Sequence, residues 1–211
     1  MFSANFRRPQ SAISAKSFKR FRLEEDVEDE DEVNQNIKVQ DNNIYFFGPV
    51  NMPNMLELSI NIDMLTKQLQ IFGITFNIDA PPINIYINSE GGEVHAALSV
   101  FDKIKTNTVH INTIITGNAS SAATIISMAG HSRKITENSY MLIHNISSTF
   151  WGKMHEFEDE MKNMAKLTNN LKHIYKLYSS ITKKQLDDLL KKDLLMDAKT
   201  CLRLGFVDEI V

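Results

Sequence analysis

Apolar positions along this chain alternate between two periods. Ile44-Tyr45-Phe46-Phe47 is a short apolar run closed by Gly48-Pro49, which predicts a strand ending in a turn. From about Asn54, the residues Met55, Leu58, Ile62, Leu65, Leu69 and Phe72 recur at helical spacing, and Gly73 stands where such a helix would stop. Pro81-Pro82 interrupts the chain before Ile83-Asn84-Ile85-Tyr86-Ile87, whose alternation predicts a second strand. A helix is expected from near Glu93 through Ala97, Val100, Phe101 and Ile104. Val109 to Ile115 alternates again and reads as a buried strand, a run of small and apolar residues opening at Ser121 reads as a helix, and Tyr140-Met141-Leu142-Ile143 reads as a further strand.

Strands and helices in this order imply parallel strands joined by right-handed crossovers, an α/β fold. The rest of the chain is mostly helical. Residues 152–181 carry Phe157, Met161, Met164, Leu167, Leu171 and Tyr175 on one stripe, and neither Gly nor Pro interrupts residues 153–204. That stripe either packs on the core or projects and pairs with another subunit. A shorter helix at about 183–191 precedes Asp193, and a last helix from Ala198 to Leu204 stops at Gly205 before a final strand, Phe206-Val207.

Composition narrows the function classes. The 211 residues suffice for one domain with a full core plus a tail. A hydrophobic fraction of 43% with 23% charged residues fits a soluble globular protein. The net charge of -3 argues against nucleic acid as the main ligand, because phosphate binding needs a basic surplus. No apolar run reaches membrane-spanning length, so no membrane partner is expected, and the start lacks the uninterrupted apolar segment of a secretory signal. Charge is unevenly spread. Residues 1–22 hold Arg7, Arg8, Lys16, Lys19, Arg20 and Arg22 and no acid, whereas 24–32 is almost pure acid. Like-charge blocks repel, so residues 1–42 are expected to form a disordered charged tail ahead of a folded domain at 43–211. The acid-free start also suits an organellar transit peptide, the alternative to a cytoplasmic location. The single cysteine, Cys201, excludes an intrachain disulfide and falls in a helical pattern as a small core residue.

The chemistry concentrates at three places. Gly117-Asn118-Ala119-Ser120-Ser121 joins the 109–115 strand to the helix that follows. A serine there lies at a helix N-terminus, whose free backbone N–H groups can stabilise an oxyanion. A lone serine in such a place is ordinarily only a cap. As a nucleophile it needs a base, and the base needs an orienting partner. His144, after the 140–143 strand, and Asp193 supply both, and the order of the three along the chain is immaterial because a triad is defined by geometry. On these grounds Ser120 competes with Ser121 for the role. The candidate oxyanion donors are the Ala122 N–H and the Gly92 N–H, the latter in Asn88-Ser89-Glu90-Gly91-Gly92, where two glycines permit close backbone approach. Both loops would follow carboxyl ends of strands and converge on one crevice. The Gly-Gly pair lacks the phosphate-loop pattern, and the other histidines lack metal-ligand spacing, so neither cofactor nor metal is expected.

Taken together, these segments resemble the proteolytic subunit of the Clp protease family over roughly residues 43–211. Tyr86-Ile87-Asn88-Ser89-Glu90-Gly91-Gly92 resembles that family's Tyr-Ile-Asn-Ser-Pro-Gly-Gly, and Gly117-Asn118-Ala119-Ser120-Ser121 resembles its Gly-Gln-Ala-Ala-Ser, which points to Ser121. Met141-Leu142-Ile143-His144 resembles the stretch ending in the catalytic histidine, Asp193 falls where the family's aspartate lies, and Gly205-Phe206-Val207-Asp208-Glu209-Ile210 resembles the family's last segment. The resemblance implies a crotonase-like α/β fold of repeated β-β-α units with a projecting handle helix, within 152–181. It also implies stacked heptameric rings, an AAA+ unfoldase partner of the Clp type, unfolded protein substrates and a serine endopeptidase. Glu90, Ala122, Ala123 and Ile146 depart from the family pattern. The rival readings are a non-catalytic or regulatory ring subunit and a capsid-maturation or signal-peptide-type peptidase on the same fold, where a Ser-Lys pair can serve. A crotonase acting on acyl-thioesters is more distant, since it would not require the three residues together.

Overall fold

Two runs of alternating residues, Ile44/Phe46 and Ile83/Ile85/Ile87, turn all five of these side chains fully inward and lie side by side as the centre of one sheet. The structure, a computed structural model, describes residues 35–211. Its elements run β1 (Ile37–Gln40), β2 (Asn43–Phe47), α1 (Met52–Phe76), β3 (Ile83–Ser89), α2 (Val94–Lys105), β4 (Ile111–Ser120) and α3 (Ala122–Met128). After these come β5 (Ser132–Ile135), β6 (Tyr140–Leu142), α4 (Met154–Leu177), α5 (Lys183–Leu189), β7 (Met196–Asp197), α6 (Ala198–Arg203) and β8 (Glu209–Ile210). The main sheet has the order β1-β2-β3-β4-β5-β8, and every neighbouring pair except β1/β2 is parallel. Polar positions of the alternation also pair across strands. Asn112 donates to Asn84 and Asn84 to Asn43, each at 3.0 Å, and Tyr45 stacks on Tyr86 with ring centroids 4.9 Å apart.

Helices α1 and α3 pack against the sheet, with α2 between them. Asn51 caps α1 by accepting from the Asn54 N–H at 2.9 Å. Met55, Leu58, Ile62, Leu65 and Leu69 form its buried stripe, as the spacing predicts, and Ala96, Ala97, Val100 and Ile104 do the same for α2. Gly73 is not the stop. The helix continues to Phe76 and ends at Asn77 in the left-handed conformation, while Gly73 lies where a Cβ would come within 2.9 Å of the Ile78 carbonyl oxygen.

Three further boundaries differ from the sequence expectation. The tail assigned to 1–42 overlaps β1, whose Ile37 is buried and which pairs antiparallel with β2; the remainder of that segment lies outside the described residues. The expected final strand Phe206-Val207 is a buried bend, and the strand is Glu209–Ile210 beside β5. Strand β4 is longer than 109–115 and runs straight through Gly117 to Ser120, the stretch expected to be a loop. Its first half pairs with β5 and its last residues, Asn118–Ser120, pair with β6. β6 in turn holds β7 antiparallel. This change of neighbour partway along β4 carries the chain's chemistry to one end of the sheet.

Helix α4 behaves unlike the others. Of its 24 residues only Ile174 and Tyr175, near its end, are buried; on its apolar stripe Met164, Leu167 and Leu171 are half-buried and Phe157 and Met161 are exposed. Cys201 is fully buried and donates to the Met196 carbonyl oxygen, and burial pushes its thiol up to about 12, as befits a core residue.

Candidate active site

The path from β3 into α2 is built on two glycines. Gly91 has φ 93°, and a Cβ on it would stand 2.5 Å from the Ser120 carbonyl oxygen and 2.8 Å from the Ser121 Cβ. Only glycine lets this loop touch the end of β4. Gly92 has φ 146° and pairs with Val50 in a parallel bridge. The Val50 N–H donates to the Gly91 carbonyl and the Glu93 N–H donates to the Val50 carbonyl, both at 2.8 Å. In such a bridge the middle residue's own N–H points away from its partner strand. The Gly92 amide therefore points away from Val50. Glu90, the carboxylate beside this loop, accepts from the Asn118 side-chain amide at 3.0 Å.

Strand β4 ends at Ser120 and α3 starts at Ala122, so Ser121 is the single residue between them. Its backbone sits at φ 53°, ψ -124°, a region that non-glycine residues avoid. Such a strained strand-to-helix turn lifts the side chain clear of both elements, as in a nucleophile elbow, although the flanking residues are not the glycines of the usual motif. The Ser121 N–H donates to the Leu142 carbonyl of β6 at 2.8 Å, and its carbonyl accepts from the Thr124 N–H at 3.0 Å and the Thr124 hydroxyl at 2.6 Å. Ser120 differs in kind. It is buried, and its hydroxyl exchanges hydrogen bonds with the Asn118 side chain at 2.9 and 3.1 Å.

Ile143 is fully buried behind β6, and His144 follows it, half-exposed. Ser121, His144, Gly92 and Ala122 all line one cavity, whose remaining wall includes Ile125 from α3 with Leu171 and Tyr175 from α4. Asp193 is exposed between α5 and β7. Strands β6 and β7 pair Tyr140 with Asp197 and Met141 with Met196, the last pair lying three residues before His144 on one strand and three residues after Asp193 on the other. The Asn145 N–H donates to the Leu190 carbonyl at 3.1 Å, which ties the His144 segment to the segment leading to Asp193. Among the described residues no hydrogen bond joins the side chains of Ser121, His144 and Asp193. The structure thus gathers four of the five sequence candidates on one cavity wall and leaves Asp193 outside that lining.

Two residues of the site escape the sequence reading. Thr124 lies in an all-apolar run, and Tyr175 reads as one more member of the α4 stripe. Neither carries a motif, and only the tertiary packing brings the two hydroxyls to 2.7 Å.

Comparison with known proteins agrees with this picture. A family model described as Clp protease matches residues 58–211. The ATP-dependent Clp protease proteolytic subunit of Deinococcus radiodurans is 30% identical over 131 residues, which cover 61% of this chain and 64% of that relative, so the match spans less than two thirds of the relative's length. A point mutant of ClpP1 from Listeria monocytogenes superposes with a TM-score of 0.65 at 23% identity, covering 81% of this chain and 91% of that one. That likeness shows the fold, an α/β fold of the crotonase-like kind.

Proposed function

The chain belongs to the Clp protease family, and from that premise we propose that it is the serine peptidase subunit of a compartmentalised protease, with Ser121 as nucleophile, His144 as base and Asp193 as the group that orients His144. The observation that carries this reading is the shared cavity of Ser121 and His144, with Ser121 held at a strained elbow. In the proposed cycle the Ser121 hydroxyl attacks a peptide carbonyl while His144 takes its proton. The tetrahedral oxyanion forms between the N–H groups of Gly92 and Ala122. His144 then returns the proton to the leaving amine, and water repeats the sequence on the acyl-enzyme. Among the described residues no lysine lines the cavity, which favours a histidine base over a Ser-Lys pair.

The same reading extends to assembly. Stacked rings and an AAA+ unfoldase that feeds unfolded chains are proposed for this protein. Support for subunit contacts comes from exposed apolar surface at two places: Met154, Phe157 and Met161 with Trp151 at the start of α4, and the row Met52, Leu56, Ile60 and Met64 along α1.

Labelling with a fluorophosphonate probe, followed by intact-mass measurement, tests the reading. One adduct is expected on the wild-type chain and none on Ser121→Ala or His144→Ala, whereas Ser120→Ala still labels. A folded, assembled wild-type protein that takes no adduct would overturn the catalytic assignment in favour of a non-catalytic ring subunit. Labelling that survives His144→Ala would exclude the histidine base.

A further inference from the structure

We propose that Thr124 and Tyr175 form a positioning pair that fixes the Ser121–Ala122 peptide unit, and with it the Ala122 N–H of the oxyanion site. The inference rests on the peptidase reading above and assigns a role to two residues outside the triad.

A trans peptide is planar, with its carbonyl and its N–H pointing in opposite directions. Whatever holds the Ser121 carbonyl therefore aims the Ala122 N–H. The holder is Thr124, whose hydroxyl and N–H both donate to that carbonyl, at 2.6 and 3.0 Å. Ala122 in turn lines the cavity that holds Ser121 and His144.

The hydroxyl pair has a defined direction. A carbonyl oxygen can only accept, so the one proton of Thr124 goes to Ser121, and the 2.7 Å contact with Tyr175 must be a bond from the phenol to the Thr124 oxygen. Burial pushes the Tyr175 phenol up to about 12, so it stays protonated and able to donate. Tyr175 donates to Thr124, and Thr124 donates to the carbonyl of Ser121, a chain in which each bond polarises the next. Both members are buried, at 3% and 0% exposure, and the Tyr175 ring stands edge-on to Phe206 at 6.3 Å. Apolar residues of the same shapes would fill this space without needing partners. What the polar pair adds is restraint on a backbone that would otherwise relax from φ 53°. Tyr175 is also one of the two buried residues of α4, so the helix is anchored at the point where it reaches the elbow.

The test measures fluorophosphonate labelling time courses on the full chain, separating the maximal rate kinact from the binding constant KI, for wild type, Tyr175→Phe, Thr124→Val, Thr124→Ser and the Tyr175→Phe/Thr124→Val double variant. Deleting an oxyanion donor outright costs a hundredfold or more; misaiming one is expected to lower kinact about tenfold in Tyr175→Phe and in Thr124→Val, with KI unchanged. The double variant is expected to be no slower than Thr124→Val, because both changes break one chain. Thr124→Ser, which keeps the hydroxyl, is expected to recover most of the rate. A general packing defect would not be relieved by serine and would not spare KI. Thermal melts identify any variant that fails to fold, and Tyr175→Phe, which keeps the ring, decides if Thr124→Val does. A labelling wild type with Tyr175→Phe equally fast overturns the pair and leaves the peptidase reading standing. So does a rise in KI at constant kinact, or a folded Thr124→Ser that stays slow. A wild type that takes no adduct overturns the peptidase reading and this inference with it.

Discussion

Ser121 occupies a backbone conformation that glycine would adopt at little cost, at φ 53° and ψ -124°. A non-glycine residue held there stores on the order of 1 to 3 kcal/mol of strain, and such strain persists only where surrounding bonds over-determine it. Here those bonds come from Leu142 and Thr124. Ser121→Gly is accordingly expected to raise stability by about 1 kcal/mol while abolishing labelling, and Ser121→Ala to abolish labelling with no such gain. Urea unfolding midpoints of the two variants check this, and equal midpoints would show that the elbow is not strained. At this scale the residue types alone left Ser120 and Ser121 equivalent. They differ in the folded protein because the strand's alternation turns the Ser120 side chain inward onto Asn118, while the break between β4 and α3 turns Ser121 out.

Among the elements, α4 is the one whose pattern was ambiguous. A stripe of apolar residues looks the same whether it packs on its own core or on another subunit. The structure leaves Met154 and Met161 exposed at 77% and 72%, and Trp151, the chain's only tryptophan, at 98%. If rings stack through this helix, Met154→Glu/Met161→Glu is expected to split the assembly without lowering the melting temperature, because neither side chain belongs to the core. Sedimentation velocity reads the size. Trp151 emission should shift to the red on dissociation, and an unchanged sedimentation profile would rule out α4 as the contact. Strand β4 shows the opposite relation of pattern to element. Gly117 and the polar Asn118 suggest a loop, yet hydrogen bonds to β6 continue the strand through them. A sheet neighbour supplied from residues 140–142 overrides the local preference, which is weak in strands.

Across the whole molecule, one side chain ties the last segment to the sheet. Arg133 on β5 donates to the carbonyls of Tyr178 and Gly205 and pairs with Asp208 through its guanidinium, while its backbone N–H also donates to Asp208 at 2.8 Å. Burial by itself would raise the Asp208 carboxyl, but the hydrogen bonds and charge of Arg133 outweigh it and hold the group below its usual value. The sign follows directly. The carboxylate is favoured in the folded state, so its contribution is present above the ordinary carboxylate range and is lost as pH falls through that range, from about 4 downward. Asp208→Asn is expected to flatten the acid limb of a plot of stability against pH. Urea midpoints collected between about pH 3 and 7 test it, and parallel limbs for variant and wild type would remove Asp208 from the acid response.

Most of the elements were legible in the order of residues because strand and helix periods depend on local burial alone: β2, β3, α1, α2, α5 and α6 fall close to where alternation and helical spacing put them. Of the five candidate site residues, Ser121, His144, Gly92 and Ala122 share one cavity, although residue chemistry alone did not separate Ser121 from Ser120. The misplaced pieces share a cause. β1, the far half of β4 and β8 exist only through hydrogen bonds to strands distant in sequence, and short segments of that kind have no period of their own to read. The site shows the same division. Sequence by itself determined that a serine, a histidine and a glycine-rich loop were present; tertiary structure alone decided that they line one cavity, since it is the handover of β4 from β5 to β6 that brings Ser121 to the segment of His144, and the packing of α4 on α3 that places Tyr175 against Thr124.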